Sequence, residues 1–201
     1  GFIFPERRHS RRRAAFPPTP IPTMRFARLL PAAAALGLAL LTTTDLAAQR
    51  APASPRDSVK ATIAGATVSL NYGRPSKRGR DIFGALVPWN TIWRTGANEA
   101  TSFTTTKALM FGSVTVPAGS YTLYTMPSQD GKWMLAINKQ TGQWGTEYNQ
   151  GQDLARVPLT VTSLPSVVEQ MQLSITPAGD GGELAMSWDR TKAAARFTVA
   201  K

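Results

Sequence analysis

Residues 171–188, MQLSITPAGDGGELAMSW, decide the fold class. Apolar side chains occupy every second position in residues 171–175 and again in residues 184–188. A period of two is typical of β-strands that bury one face and expose the other. The glycine-rich residues 179–182 between the two halves have the composition of a turn. The stretch therefore predicts two β-strands separated by a turn.

The same alternation extends through most of the chain. It is clearest in residues 67–72 and 157–162, and shorter runs bounded by turn residues predict the remaining strands. These are residues 57–63, 100–106, 113–116, 120–126, 132–138 and 196–200. Many short strands at this spacing predict an all-β fold, an antiparallel β-sandwich of jelly-roll or immunoglobulin-like type, although a barrel would give the same pattern. Pro158 has no N–H to give to a neighbour, so its strand is predicted at a sheet edge.

Residues 73–101, GRPSKRGRDIFGALVPWNTIWRTGANEAT, interrupt this pattern. They carry five cationic side chains and two tryptophans, but no alternation long enough for a strand. Long irregular connections are usually functional or disordered, and the apolar residues here argue against disorder. We therefore expect a site in this connection, with one short helix beginning after Asp81, whose carboxylate can cap it.

The first 48 residues have the features of a targeting sequence. Met24 is followed by a basic segment, by the apolar residues 29–41 and by small residues suited to cleavage. This order predicts a signal peptide at residues 24–48, and therefore export to the periplasm or the extracellular space. No stable transmembrane anchor is predicted, because the apolar run is shorter than the roughly 20 residues that span a bilayer. Residues 1–23 are interpreted as an upstream artefact or a disordered leader, with a twin-arginine signal at residues 10–16 as the alternative.

The rest of the chain is predicted to be one domain. A flexible mature N-terminus at residues 49–56 precedes a single domain at residues 57–201. The part after residue 48 carries 16 basic and 10 acidic residues, a net charge of +6 against +11 for the whole chain. Envelope anions, acidic glycans or anionic lipid surfaces are predicted as partners, and nucleic acid is not, since nucleic-acid binding usually needs a denser basic stripe.

Missing residue types exclude several mechanisms. The chain has no cysteine, and its only histidine, His9, lies in the leader. A domain without either residue cannot use a Ser-His-Asp or Cys-His mechanism and cannot build a typical zinc site. The Asp-Gly pairs at residues 130–131 and 180–181 resemble fragments of calcium loops, but neither has the spaced acidic ligands that calcium needs. We therefore predict no metal and no cofactor.

Longer motifs cover most of the predicted domain. They are residues 73–75 (GRP), 79–84 (GRDIFG), 86–88 (LVP), 93–101 (WRTGANEAT), 117–123 (PAGSYTL), 138–139 (NK) and 144–145 (WG). Together they resemble the signature of the bacterial DUF2911 family, over about residues 57–200. The resemblance implies an exported bacterial domain. Because that family has no assigned activity, it supplies no catalytic residues.

Charged, amide and indole side chains are the candidates for ligand binding. They are Arg74, Arg80, Trp93, Arg94, Asn98, Glu99, Asn138 and Trp144. Guanidinium groups suit bidentate capture of a carboxylate, sulfate or phosphate, and indole rings suit a sugar or a cation. Each also has a purely structural interpretation: a solvated basic loop, a buried Arg94–Glu99 pair, core tryptophans, and Asn138 capping a turn.

Three functions are compatible with these residues. The first is a non-catalytic binding module for a polar or anionic small molecule or a glycan. The first alternative is a structural or assembly module of the cell envelope, in which the long connection only closes the sandwich. The second alternative is a hydrolase in which Glu99 works with Glu147 or Asp153, as glycoside cleavage needs two carboxyl groups roughly 5–10 Å apart.

Overall fold

The structure is a computed structural model that describes residues 53–201. The predicted leader, the predicted signal peptide and residues 49–52 lie outside this range. The strands in chain order are β1 (Arg56–Ile63), β2 (Ala66–Gly73), β3 (Thr101–Thr105), β4 (Leu109–Phe111), β5 (Val114–Val116), β6 (Gly119–Met126), β7 (Met134–Asn138), β8 (Asp153–Pro158), β9 (Thr160–Ala178) and β10 (Gly181–Val199). Within residues 53–201, no helix is long and apolar enough to cross a bilayer.

Two antiparallel sheets pack as a sandwich. The first sheet has the order β1-β2-β3-β6-β7-β8, and the second has the order β5-β4-β10-β9. β1 and β2 are joined by Ala64 and Gly65, whose φ angles of 47° and 75° fit a tight hairpin turn. β9 and β10 form a long hairpin of two 19-residue strands, in which Leu173 pairs with Met186. The all-β sandwich predicted from the alternating pattern is confirmed.

The core lies between the sheets and follows the period of two. In β2, Val68 and Leu70 are buried while the residues between them are half-buried. Leu173 and Ile175 of β9 and Trp188 of β10 enter the same core from the second sheet. Burial of these apolar side chains is the main force that holds the two sheets together.

The strand predictions differ from the structure in extent. Residues 157–162 were predicted as one strand, but they run from β8 in the first sheet to β9 in the second. The change of sheet occurs at Leu159, whose N–H donates to the carbonyl of Trp133 at 2.8 Å. Pro158 does end an edge strand, as predicted. The predicted strands at residues 184–188 and 196–200 are parts of β10, and the three-residue β4 was not predicted.

The predicted helix after Asp81 is absent. The N–H of Val87 donates to the carbonyl of Ile82, and the N–H of Gly84 donates to the carbonyl of Val87, both at 2.8 Å, so the chain turns back on itself. Gly84 has a φ of 91°, which no helical residue adopts. The only helix in the described part of the chain is a single 3-10 turn at Gln150–Gln152, capped by Asn149.

Candidate functional site

The connection at residues 73–101 is held against both sheets by backbone hydrogen bonds. Toward β9, the N–H of Met171 donates to the carbonyl of Pro75 at 2.9 Å. Toward β6, Trp93 and Thr125 exchange two bonds of 2.8 Å. The connection is irregular, but its backbone is fixed by the sandwich on two sides.

An aromatic cluster fills the space under this connection. The rings of Phe83 and Trp133 have their centroids 4.7 Å apart at 60°, and Trp93 stacks on Trp188 at 5.8 Å and 17°. Trp188 is fully buried, whereas Trp93 is only half-buried. The stack therefore forms a rigid base with one edge near the surface.

Residues 93–98 have a strained backbone. Thr95 has a φ of 51° and Asn98 a φ of 64°, and the left-handed region is rare for a β-branched residue. Contacts on every side hold Thr95 in place: its hydroxyl lies 2.8 Å from the hydroxyl of Thr125, and its carbonyl accepts from Thr101 at 2.9 Å. Strain that is held by several contacts is common at binding sites.

A cavity of about 440 Å³ lies beside this strained segment. Its walls come from the connection, from β6 and β10, from the segment before β1 and from the segment between β7 and β8. They are formed by Ser54, Pro75, Arg80, Leu86, Val87, Ile92, Trp93, Arg94, Gly96, Ala97, Asn98, Tyr124, Gly145, Thr146, Tyr148 and Trp188. The volume is within the range of small-molecule sites.

Arg94 is the central cation of the cavity. It is half-buried, and its Nε donates to the carbonyl of Gly96 at 3.2 Å. Its two Nη atoms have no hydrogen-bond acceptor, and its guanidinium has no carboxylate within 4.0 Å, among residues 53–201. Neither Nη atom is fully buried, so both are accessible to an anion that enters the cavity.

Arg80 adds a second positive charge at the exposed side of the cavity. Its Nη2 donates to the carbonyl of Ser76 at 2.6 Å and its Nε to the carbonyl of Lys77 at 2.9 Å. These two bonds hold the guanidinium in place and leave Nη1 free. Arg80 likewise forms no ion pair within the described residues.

Two tyrosines that line the cavity do not offer their phenol oxygens to it. The phenol oxygens of Tyr124 and Tyr148 are used elsewhere: Tyr124 donates to the carbonyl of Glu147 at 3.2 Å, and Tyr148 to the carboxylate of Asp153 at 2.5 Å. The half-buried Tyr148 therefore offers its ring to the cavity, and the buried ring of Tyr124 supports it edge to face at 4.8 Å. No aspartate or glutamate of residues 53–201 lines the cavity. The cavity is cationic, rich in N–H donors and partly walled by aromatic rings.

Comparison with known proteins identifies the family. Residues 54–197 match the family described as "Protein of unknown function (DUF2911)". The chain belongs to the DUF2911 family. No curated protein and no solved structure matches the chain.

Half of the predicted site residues of this DUF2911 domain line the cavity. Arg80, Trp93, Arg94 and Asn98 do so, whereas Arg74, Glu99, Asn138 and Trp144 do not. Trp144 is 47 % exposed, and its backbone pairs with that of Glu99. Ser54, Tyr124, Thr146 and Tyr148 were not predicted. Thr146 and Tyr148 could have been predicted, because they follow Trp144 closely in the sequence and Trp144 had been chosen for its flanking glycines.

The basic cluster at residues 74–80 is mostly used to hold the fold. Arg74 pairs with Asp57 at 3.1 Å and Lys77 with Asp189 at 2.9 Å. Arg78 donates to the carbonyl of Ala53 at 3.1 Å. These three cations tie the connection to β1, to β10 and to the segment before β1, so Arg80 is the member of the cluster that lines the cavity.

The structural interpretation predicted a buried ion pair between Arg94 and Glu99, but Glu99 pairs with Arg56 instead. Its Oε2 lies 2.8 Å from Nη1 of Arg56, and its side chain is 55 % exposed. A backbone hydrogen bond and then the bond from Arg56 lower the pKa of Glu99 below its usual value. Glu99 is therefore an ionised surface residue that fixes the connection to β1.

Asn138 is a buried structural residue. Its side-chain amide donates to the carbonyl of Asn149 at 2.8 Å and to the carboxylate of Asp153 at 2.9 Å, and its oxygen accepts from the N–H of Gln140 at 2.9 Å. Arg156 also donates to Asp153, at 3.0 Å. This network holds the segment between β7 and β8, and through it the ring of Tyr148 at the cavity wall.

Proposed function

We propose that this DUF2911 protein is an exported, non-catalytic binding module that holds a small organic anion in the cavity beside Arg94. One observation carries the proposal: Arg94 is a half-buried guanidinium with two free Nη atoms, in a cavity that no carboxylate of the described chain lines. An anion that accepts both Nη–H groups would supply the missing partner.

The remaining walls favour an organic anion over a bare inorganic ion. The half-buried Trp93 and Tyr148 present ring surfaces, and Leu86 and Ile92 add apolar contacts. Asn98 and Thr146 offer polar groups for hydroxyls. An acidic sugar or another small organic acid fits this combination, since its carboxylate suits Arg94 and its carbon skeleton suits the rings.

Export is the second part of the proposal, and it rests on sequence alone. The basic segment, the apolar residues 29–41 and the small residues before residue 49 have the order of a signal peptide. A binding module outside the cytoplasm would meet acidic glycans and organic acids directly.

The two alternatives receive less support. For the hydrolase, Glu99 is bound to Arg56 and Asp153 is bound to Tyr148 and Arg156, so two of the three candidate carboxylates are already engaged. For a structural module, the ion pairs of Arg74 and Lys77 would be sufficient, but the free Nη atoms of Arg94 would have no role.

Isothermal titration calorimetry against a panel of uronic acids and small organic acids at low ionic strength tests the proposal. We expect at least one member to bind, and Arg94→Gln to weaken that binding about ten- to 100-fold, because charged hydrogen bonds contribute about 1.5–3 kcal/mol. Arg196→Gln is the matched control: it removes an exposed arginine of β10 outside this cavity and should leave the affinity unchanged. Equal losses in both variants, or no binding by any acid, would contradict the proposal.

A further inference from the structure

We infer that the ligand of this cavity is a small dicarboxylate that joins Arg94 to Arg80. The inference rests on the proposed function and adds the number of the ligand's charges. One carboxylate would bind the half-buried Arg94, and the second would bind Arg80 at the exposed side of the same cavity.

The first argument is the distribution of ion pairs. Six cations of residues 53–201 have a carboxylate within 4.0 Å, and these are Arg56, Arg74, Lys77, Lys132, Arg156 and Lys192. Arg80 and Arg94 are the two cations that line the cavity, and both lack such a partner within residues 53–201. The cavity therefore holds two uncompensated positive charges.

The second argument is that both guanidinium groups are already positioned. Arg80 is exposed, yet two backbone carbonyls hold it at 2.6 and 2.9 Å, and Arg94 is held by the carbonyl of Gly96 at 3.2 Å. A free surface arginine would lose side-chain entropy on binding, whereas a fixed one loses less. Each guanidinium keeps N–H groups free for a carboxylate.

The third argument is the apolar part of the cavity wall. Leu86, Val87 and Ile92 lie between the two arginines in the chain and line the same cavity. Val87 is buried beneath the wall, whereas the exposed Leu86 and the half-buried Ile92 provide apolar contact for the carbon skeleton that would separate two carboxylates. A single phosphate or sulfate group has no such skeleton and would leave these side chains without contact.

Matched acids of one skeleton test the inference: gluconate and glucarate, and hexanoate and adipate, are titrated calorimetrically into the full-length protein. We expect the diacid of at least one pair to bind about ten- to 100-fold more tightly than its monoacid, since the second carboxylate gains charged hydrogen bonds. Arg80→Gln should abolish this difference, because it weakens the diacid much more than the monoacid. Arg94→Gln should weaken both acids, and Arg80→Lys should keep part of the preference.

The outcomes separate the inference from the proposed function. Equal affinity of the wild type for monoacid and diacid overturns the dicarboxylate and leaves anion binding in place. The dicarboxylate inference is also wrong if Arg80→Gln, with a circular dichroism spectrum like that of the wild type, still binds the diacid as much more tightly than the monoacid as the wild type does. If neither acid of either pair binds, both the dicarboxylate inference and the proposed anion binding are wrong. If Arg80→Gln does not fold, the wild-type affinity ratio and Arg80→Lys still decide the question.

Discussion

Gly145 lies directly against the side chain of Arg94. A Cβ atom at position 145 would come within 2.6 Å of Cδ of Arg94 and 2.7 Å of the carbonyl oxygen of Asn98. The N–H of Gly145 also donates to that carbonyl at 3.0 Å, so the backbone cannot retreat without losing the bond. Gly145 therefore sets the position of the guanidinium that faces the cavity.

We predict that Gly145→Ala destabilises the protein by about 1–3 kcal/mol, the usual cost of inserting a methyl group into a filled space. It should also weaken anion binding, because the stem of Arg94 must move. Urea denaturation and calorimetry measure the two effects. Gly151→Ala is the matched control, since its Cβ would meet only the end of the Asn149 side chain, at 3.2 Å. A variant with wild-type stability and affinity would show that the contact between Gly145 and Arg94 is not needed.

Asn138 provides a second prediction, because its role in the structure is internal. Asn138→Ala should lower the free energy of unfolding by about 2–4 kcal/mol, since each buried partner left without a bond costs about 1–3 kcal/mol. Gln172→Ala, at an exposed position of β9, should change it little. Denaturant titration compares the two variants. If Asn138→Ala instead kept its stability and lost only anion binding, Asn138 would be a ligand residue.

The strands could be predicted from the sequence because their pattern is local. Alternation in β2 places Val68 and Leu70 on one face whatever the rest of the chain does. The change of sheet at Leu159 could not be predicted, because its cause is a hydrogen bond to Trp133, 26 positions earlier. The prediction of a helix after Asp81 was wrong. A good capping residue does not outweigh Gly84, which has a positive φ, and Pro88, both within the next seven residues.

The site was only partly predictable, because a cation's role depends on where the acids lie. Arg74 and Arg94 look equally free in the sequence, yet Asp57 neutralises one of them and no carboxylate of the described chain reaches the other. Tyr124 looks like an ordinary core residue of β6. It supports the ring of Tyr148 only because the segment between β7 and β8 folds back over the sheet.

Glu99 distinguishes the binding function from the hydrolase. Its carboxylate is on the surface, paired with Arg56 and outside the cavity. We therefore expect Glu99→Gln to change anion affinity by less than about twofold, because surface ion pairs contribute little. Asn98→Ala is the comparison, since Asn98 is adjacent in sequence and does line the cavity; it should weaken binding. If Glu99→Gln lost as much affinity as Asn98→Ala, Glu99 would be part of the binding site.

The four tyrosines make the protein sensitive to alkali. Burial is the largest cause that raises the pKa of Tyr72, Tyr121, Tyr124 and Tyr148 above the usual value of 10.0, and the carboxylate of Asp153 raises the pKa of Tyr148 further. A raised pKa in the folded state means that the folded protein keeps its phenolic protons where the unfolded chain loses them. The stabilisation is complete below pH 10 and is lost as the pH rises through the folded pKa values.

Absorbance at the phenolate band, followed against pH, should show the folded protein titrating above pH 10 and the urea-unfolded protein titrating near it. The urea midpoint should fall over the same range, because unfolding releases phenolic protons. Tyr148→Phe serves as the matched variant: it removes one of the four phenols and keeps the ring that lines the cavity. The pH titration of Tyr148→Phe should show one phenol fewer that ionises above pH 10. Four phenols that titrate together near pH 10 in the folded protein would show that the rings of Tyr72 and Tyr124 are not buried as the sandwich requires.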